Sequence, residues 1–231
     1  MFLANRMSRL GTEKAFDVLA RARALEAAGR DIIHLEIGEP DFDTPRHIIE
    51  AACTALNTGH THYCPAAGDP EFREVVAEHV TLTRGVEYKA KNIVVMPGGK
   101  PVIFLGILAL VNEGDEVIFS SPGYPIYESV TKFVGGVPVP IVLREENEFR
   151  LDPADLADLV TDKTRLIIIN SPQNPTGGVL TQEDLEAIGE MAIENDLMVM
   201  SDETYETVIY EGQQHSIAAV EGMKERTLVM D

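Results

Sequence analysis

The 231 residues carry 38 acidic against 19 basic side chains, a formal charge of −19, and such a field disfavours nucleic acid and anionic membrane surfaces as partners. Apolar residues make up 45% and charged residues 25%, ordinary for a globular protein, and no apolar run approaches the roughly 20 residues that span a bilayer. The length exceeds a typical single domain but would cramp two, so one large domain plus a fragment is expected.

The first ten residues are slightly basic and lack an apolar core before a cleavage-like site. Export is therefore not indicated, and the cytoplasm is the expected compartment. Cys53, in an expected helix, and Cys64, in a loop, match neither a disulfide framework nor a metal spacing, which favours reduced thiols and no metal centre. His60 and His62 have no acidic or cysteine partner at ligand spacing and receive no role.

Residues 12–28 show amphipathic helical spacing, with Thr12 as cap and Gly29 as terminator. A short strand over residues 32–36 follows, then a turn-rich loop from Gly38 that enters a helix with Thr44 as cap and Pro45 in its first position. A polar, Gly/Pro-rich loop carries Tyr63, and a helix from near Pro70 to near Arg84 reads as structural. Residues 92–96 form the first expected core strand. Its exit, Pro97-Gly98-Gly99-Lys100-Pro101, runs straight into an apolar helix over residues 102–111. Glycines at such a turn expose N–H groups at a positive helix end, which suits a phosphate. The pattern is neither a dinucleotide fingerprint nor a P-loop, and Pro101 removes one N–H; a plain tight turn is the competing reading.

Residues 116–120 form the next expected strand. At its exit Tyr124 either packs into the core or offers a ring face to a ligand, and Tyr127, one turn on, reads as packing. Residues 135–142 give a strand whose prolines mark it as an edge, and a short helix starts near Pro153. Two apolar runs, residues 166–170 and 197–201, are too short for core helices and end abruptly in polar residues, as buried parallel strands do. Between them residues 181–195 have helical spacing, a Thr181 cap and an acidic first turn. The resulting βαβ unit places Asn174, Asp202 and Tyr205 at one crevice. An ionised Asp202 at the end of an apolar strand is costly unless a cation or donor meets it. Residues 227–231 begin a further strand. The expected fold is α/β: a mostly parallel sheet of six strands with helices on both faces.

Taken singly, Asn174-Pro175-Thr176-Gly177 reads as a turn and Asp202 as a helix cap. Together, one helix apart and each behind a buried strand, Ser171-Pro172-Gln173-Asn174-Pro175-Thr176-Gly177 and Ser201-Asp202-Glu203-Thr204-Tyr205 resemble the N-P-T-G and S-D-E-x-Y signatures of the class I/II aminotransferases. These are pyridoxal 5′-phosphate (PLP) enzymes of fold type I. The resemblance implies that Asp202 faces the cofactor's ring nitrogen and that Asn174 and Tyr205 bond its phenolic oxygen. It further implies that Gly98, Gly99 and Lys100 hold the phosphate and that Tyr124 stacks on the ring. Gly38 would lie beside the substrate carboxylate, with Asn174 also on the substrate side. Tyr63 would reach the phosphate of the other subunit in a homodimer; a surface tyrosine and a helix-leading loop are the plainer readings of Tyr63 and Gly38.

By the same resemblance the chain corresponds to about the first three-fifths of a family member, with residues 1–42 part of a small domain and 43–231 a large PLP-binding domain. The family's cofactor-anchoring lysine would follow the last strand, and its substrate-carboxylate arginine would lie further on. No catalytic residue is therefore assigned within the chain, and no turnover is expected from it alone. The implied activity moves an amino group between an amino acid and a 2-oxo acid, with aspartate or alanine-type substrates nearest. A PLP lyase of the same fold would share every residue named, and a non-catalytic remnant would share only the fold.

Overall fold

A computed structural model of the chain describes residues 2–11 and 14–231; Thr12, the expected first cap, lies outside them. Contacts divide the chain into two compact units, Met1–Thr12 with Pro70–Asp231, and Glu13–Asp69. This partition concerns contacts within the chain, whereas the expected boundary at residues 42/43 concerns the domains of a longer protein.

The Glu13–Asp69 unit holds α1 (Lys14–Ala27) and α2 (Arg46–Asn57). At the end of α1 the Arg30 N–H reaches back to the Leu25 carbonyl at 3.0 Å, the closure that Gly29 permits. Helix α2 starts one residue later than expected: Pro45 itself, in place of Thr44, is the N-cap, with no side-chain capping bond. The expected strand over residues 32–36 is absent from the sheet, and Ile33 and Leu35 are exposed. An alternating pattern specifies an extended segment, but a ladder needs a neighbour, and none of the described strands pairs with it. His34 instead ties this segment to α1, with Nδ1 at 2.6 Å from Glu36 and Nε2 at 3.0 Å from Glu26.

In the larger unit, α3 (Pro70–Arg84) is followed by α4 (Gly99–Leu110), β1 (Glu116–Ser121), α5 (Pro125–Val134), β2 (Val137–Val142) and α6 (Pro153–Ala157). Then come β3 (Thr164–Asn170), α7 (Gln182–Glu194), β4 (Met198–Asp202) and β5 (Thr227–Met230). The five strands run parallel in the order β2-β1-β3-β4-β5. Residues 92–96 are the correction to the expected six. Asn92 closes a short 3-10 turn over Ala90–Asn92, residues 93–96 pair with none of the described strands, and Arg73 Nε donates to the Ile93 carbonyl at 2.8 Å. An apolar run does not report whether a partner strand is available, and here Val94 is exposed.

Alternation along each strand builds two cores. Ile118, Ile167, Ile169 and Val199 face Leu185 and Ile188 of α7. Val117, Phe119, Ile168 and Met200 face Ile103 and Ile107 of α4 and Tyr127 of α5. Helices therefore cover both faces, as a parallel sheet requires. β2 is the edge its prolines predicted. Val137 donates to the Asp115 carbonyl just before β1 at 2.8 Å and Leu143 to the Ser121 carbonyl at its end at 2.9 Å, so by alternation Pro138 and Pro140 fall on the open side, where no ladder donor is lost. Helix α7 carries the expected cap: Thr181 Oγ accepts from the Asp184 N–H, and Asp184 accepts from the Thr181 N–H. Gly123, after β1, makes a close approach, since a Cβ there would sit 2.2 Å from the Ser120 carbonyl oxygen.

Two outcomes follow. Because the obstacle is backbone, Gly123→Ala must displace the turn and is expected to lower stability by about 1–3 kcal/mol in a urea titration; an unchanged midpoint contradicts the approach. Hydrogen bonds to Glu36 and Glu26 raise the His34 pKa above 6.5, and the bond to His34 lowers that of Glu36 below 4.5. The His34 contribution is complete below about pH 6.5 and is lost as pH rises through its raised value. That of Glu36 is present above about 4.5 and is lost as pH falls through its lowered value. NMR titration should show His34 titrating above 6.5 in the native chain and shifting down in Glu36→Gln.

Candidate active site

Strand order reverses between β1 and β3, since the chain leaves β1 for β2 on one side and returns to β3 on the other. In open parallel sheets the crevice at such a point, outside the carboxyl ends of the strands, is where ligands bind. Gln173 closes its floor. Its Nε2 donates to the Pro122 carbonyl at 2.8 Å across from β1, while its Oε1 accepts from the Thr176 N–H and hydroxyl at 2.9 and 2.6 Å. The Asn174–Gly177 turn is thereby fixed to both strands.

Register sets the next layer. Asn170 pairs with Asp202 and Asp202 with Met230 across β3, β4 and β5. Asn170 donates through Nδ2 to the Asp202 carbonyl at 3.1 Å and accepts through Oδ1 from the Asn174 N–H at 2.7 Å. One amide thus ties the two motifs together. The Asn174 side chain in turn lies 3.4 Å from the Tyr205 hydroxyl.

Asp202 is buried, 5% exposed. Its burial is met by three donors. The Tyr127 hydroxyl donates to Oδ2 at 2.5 Å, and the Thr204 hydroxyl and N–H donate to Oδ1 at 2.8 and 3.3 Å. Tyr127 is itself 1% exposed. Burial, then the adjacent Asp202 charge and the bond to it, push the phenol pKa far above its ordinary value, so Tyr127 remains a donor. The Tyr124 ring meets that of Tyr127 edge-on at 5.8 Å.

Gly98 caps α4 with φ at +89°, a conformation open to glycine. Gly99 and Lys100 follow in the first helical turn, and Pro101 is its third residue. Gly99 packs against the Met230 side chain, 3.4 Å from Sδ to where a Cβ would stand. Since Met230 is the register neighbour of Asp202, the helix end and the carboxylate share one edge of the sheet. Gly98, Gly99 and Lys100 are exposed, Tyr124 and Asn174 half-buried. Tyr63 and Gly38 belong to the Glu13–Asp69 unit, and both are exposed.

Sequence reading treated Tyr127 as packing and assigned nothing to Asn170, Gln173 or Thr204. Signals for them existed. A tyrosine on the apolar face of a helix must satisfy its hydroxyl, an Asn closing an apolar strand must bond something, and Thr two residues after Asp is a local turn pair.

The family described as Aminotransferase class I and II matches residues 30–231. The chain is 41% identical to an aspartate aminotransferase of Bacillus subtilis over 233 aligned positions, covering 100% of this chain and 59% of that protein. It is 47% identical to an aspartate aminotransferase of Pyrococcus abyssi, covering 89% of this chain and 54% of that protein. Among solved structures, an aspartate aminotransferase from Thermus thermophilus with maleate superposes with a TM-score of 0.94 at 39% identity, over 99% of this chain and 59% of that one. The chain therefore spans a little under three-fifths of the length of these relatives, and it belongs to the class I and II aminotransferase family.

Proposed function

We propose that the chain is the cofactor-cradling part of a PLP-dependent aminotransferase that moves an amino group between an amino acid and a 2-oxo acid. The observation carrying this is the shared edge: a dry, donor-held carboxylate at the end of β4 and a glycine-capped helix N-terminus that meets its register neighbour. The donor set fits PLP. Asp202 supplies an anion for the ring nitrogen, Asn174 and Tyr205 supply donors for the phenolic oxygen, and Tyr124 supplies a ring face. Gly98 opens the helix end at which Gly99 and Lys100 meet the phosphate. When bound, PLP supplies an electron sink for the carbon that loses its proton. Asp202 would face the ring nitrogen and favour its protonated form, and Tyr127 and Thr204 hold the Asp202 carboxylate in that direction.

The relatives' names support aspartate-type substrates, and maleate, a four-carbon dicarboxylate, is what the Thermus structure holds. In the whole protein Gly38 is assigned to the substrate carboxylate, as is Asn174, and Tyr63 to the partner subunit's phosphate site in a homodimer. Residues 1–42 are assigned to a small domain and 43–231 to the large one. The cofactor-anchoring lysine and the substrate-binding arginine are assigned to the remainder of the whole protein. No helix among the described residues is long and apolar enough to cross a membrane, and the exposed, unbridged Cys53 and Cys64 support a cytoplasmic setting.

Titration of the chain with pyridoxamine 5′-phosphate, followed by ligand fluorescence, should show binding that Asp202→Ala weakens by about 10- to 100-fold, the worth of a charged hydrogen bond. No binding by the native chain, or equal binding by the variant, overturns the reading. Tyr127→Phe removes a donor from a buried carboxylate and should cost about 1.5–3 kcal/mol in chemical denaturation; a variant as stable as the native chain would show that Asp202 does not rely on it.

A further inference from the structure

Asp202 and Glu203 are adjacent yet point to opposite faces of the sheet, and Glu203 is the more deeply buried of the two, at 1% exposure. Its Oε1 accepts from the Ser201 and Ser216 hydroxyls at 2.8 and 2.7 Å. Its Oε2 accepts from Arg84 Nε at 2.7 Å. Arg84 ends α3, and its side chain has no solvent exposure. The same guanidinium donates through Nη1 to Glu206, and its Nη2 stands 3.2 Å from Asp231. Glu203 and Glu206 are the first and last residues of a tight turn closed by the Glu206 N–H on the Glu203 carbonyl at 2.9 Å. The two residues inside that turn are Thr204, which donates twice to Asp202, and Tyr205, which meets Asn174.

We propose that Arg84 is a positioning residue, whose planar fork grips both ends of the Glu203–Glu206 turn and so holds Thr204, Tyr205 and Asp202 in their common orientation. The geometry needs a guanidinium. Lysine offers one point charge and cannot bond two carboxylates in fixed directions. It also needs a dry setting, where breaking one arm leaves a buried carboxylate without its partner. Burial pushes the Glu203 carboxyl upward, while Ser216, Arg84 and Ser201 all favour its ionised form, so the grip and the charge sustain each other. His79, Glu206 and Asp231 also gather possible ligand atoms within 4.8 Å, but Arg84 already stands against two of these three groups and provides the positive charge there. The clamp holds independently of the ligand; its effect on ligand affinity rests on the function proposed above.

The test uses two variants. Glu206→Ala releases one arm and leaves the Arg84–Glu203 bond in place, and Arg84→Lys removes the fork but keeps the charge. Amide hydrogen exchange at Thr204 and Glu206 should rise about tenfold or more in both, while exchange at Ile167–Ile169 in β3 stays at the native rate. The pyridoxamine 5′-phosphate dissociation constant should rise about tenfold, equivalent to about 1.4 kcal/mol. Unchanged exchange in the turn, an equal rise at Ile167–Ile169, or native affinity in the variants overturns the proposal, since the last two mark a residue that only adds global stability or does not reach the site. If Arg84→Lys does not fold, Glu206→Ala decides alone. If the native chain binds no ligand, the function falls and the exchange comparison still settles the clamp.

Discussion

A carboxylate withdrawn from water at the end of an apolar strand is the constraint around which the larger unit is arranged. Taking an anion out of water costs several kcal/mol unless donors replace the lost hydration. Asp202 has three such donors, on two residues that fix different parts of the chain. The Tyr127 hydroxyl ties α5 to β4 across one core. The two Thr204 donors tie the strand's last residue to the turn that follows it. The same interaction that makes the buried charge tolerable therefore fixes its direction, and direction is what the cofactor site proposed above requires.

Parallel register does the rest of the gathering. The βαβ crossover through α7 lays β4 beside β3, so Asn170 and Asp202 are opposite one another, and Asn170 turns that adjacency into a link between both motifs. One step further, β5 brings Met230 beside Asp202, and Met230 is the surface on which Gly99 rests. Gly99 and Met230, more than a hundred residues apart in sequence, thus reach one edge beside Asp202. On the opposite face the neighbouring residue, Glu203, is locked by Arg84 and two serines. Strand alternation lets one dipeptide serve both sides: Asp202 faces the site and Glu203 the anchor.

What could be read in the sequence divides along physical lines. The runs 166–170 and 197–201 were legible because burial on both faces leaves an unbroken apolar stretch, and polar residues at its end can belong only to a strand exit. The edge character of β2 was legible because proline cannot donate to a ladder. Residues 92–96 carry the same apolar signal and are not in the sheet, because pairing is a property of two segments and the signal describes one. Residues 32–36 failed for the same reason. Tyr127 was misjudged because the pattern that places a tyrosine on a helix's apolar face is the pattern of core packing, and here it is both. Arg84 was invisible as anything but a cation at a helix C-terminus, a common and weakly informative placement, because its carboxylate partners lie 119 and 122 residues further along the chain.

Net charge argues about partners and not about pockets. A protein at −19 repels polyanions, whose many phosphates sample the whole surface, yet a single phosphate group feels mainly what lies within a few ångströms. At physiological ionic strength exposed charges are screened beyond about 8 Å, so scattered carboxylates weigh little at a site furnished with its own donors. The first turn of α4 presents oriented N–H groups at a positive helix end, with Lys100 in the same turn. Pro101 removes a donor from that turn but also fixes its backbone, so fewer groups are held more firmly. The net charge and the phosphate site proposed at the start of α4 are therefore compatible, because they act on different length scales.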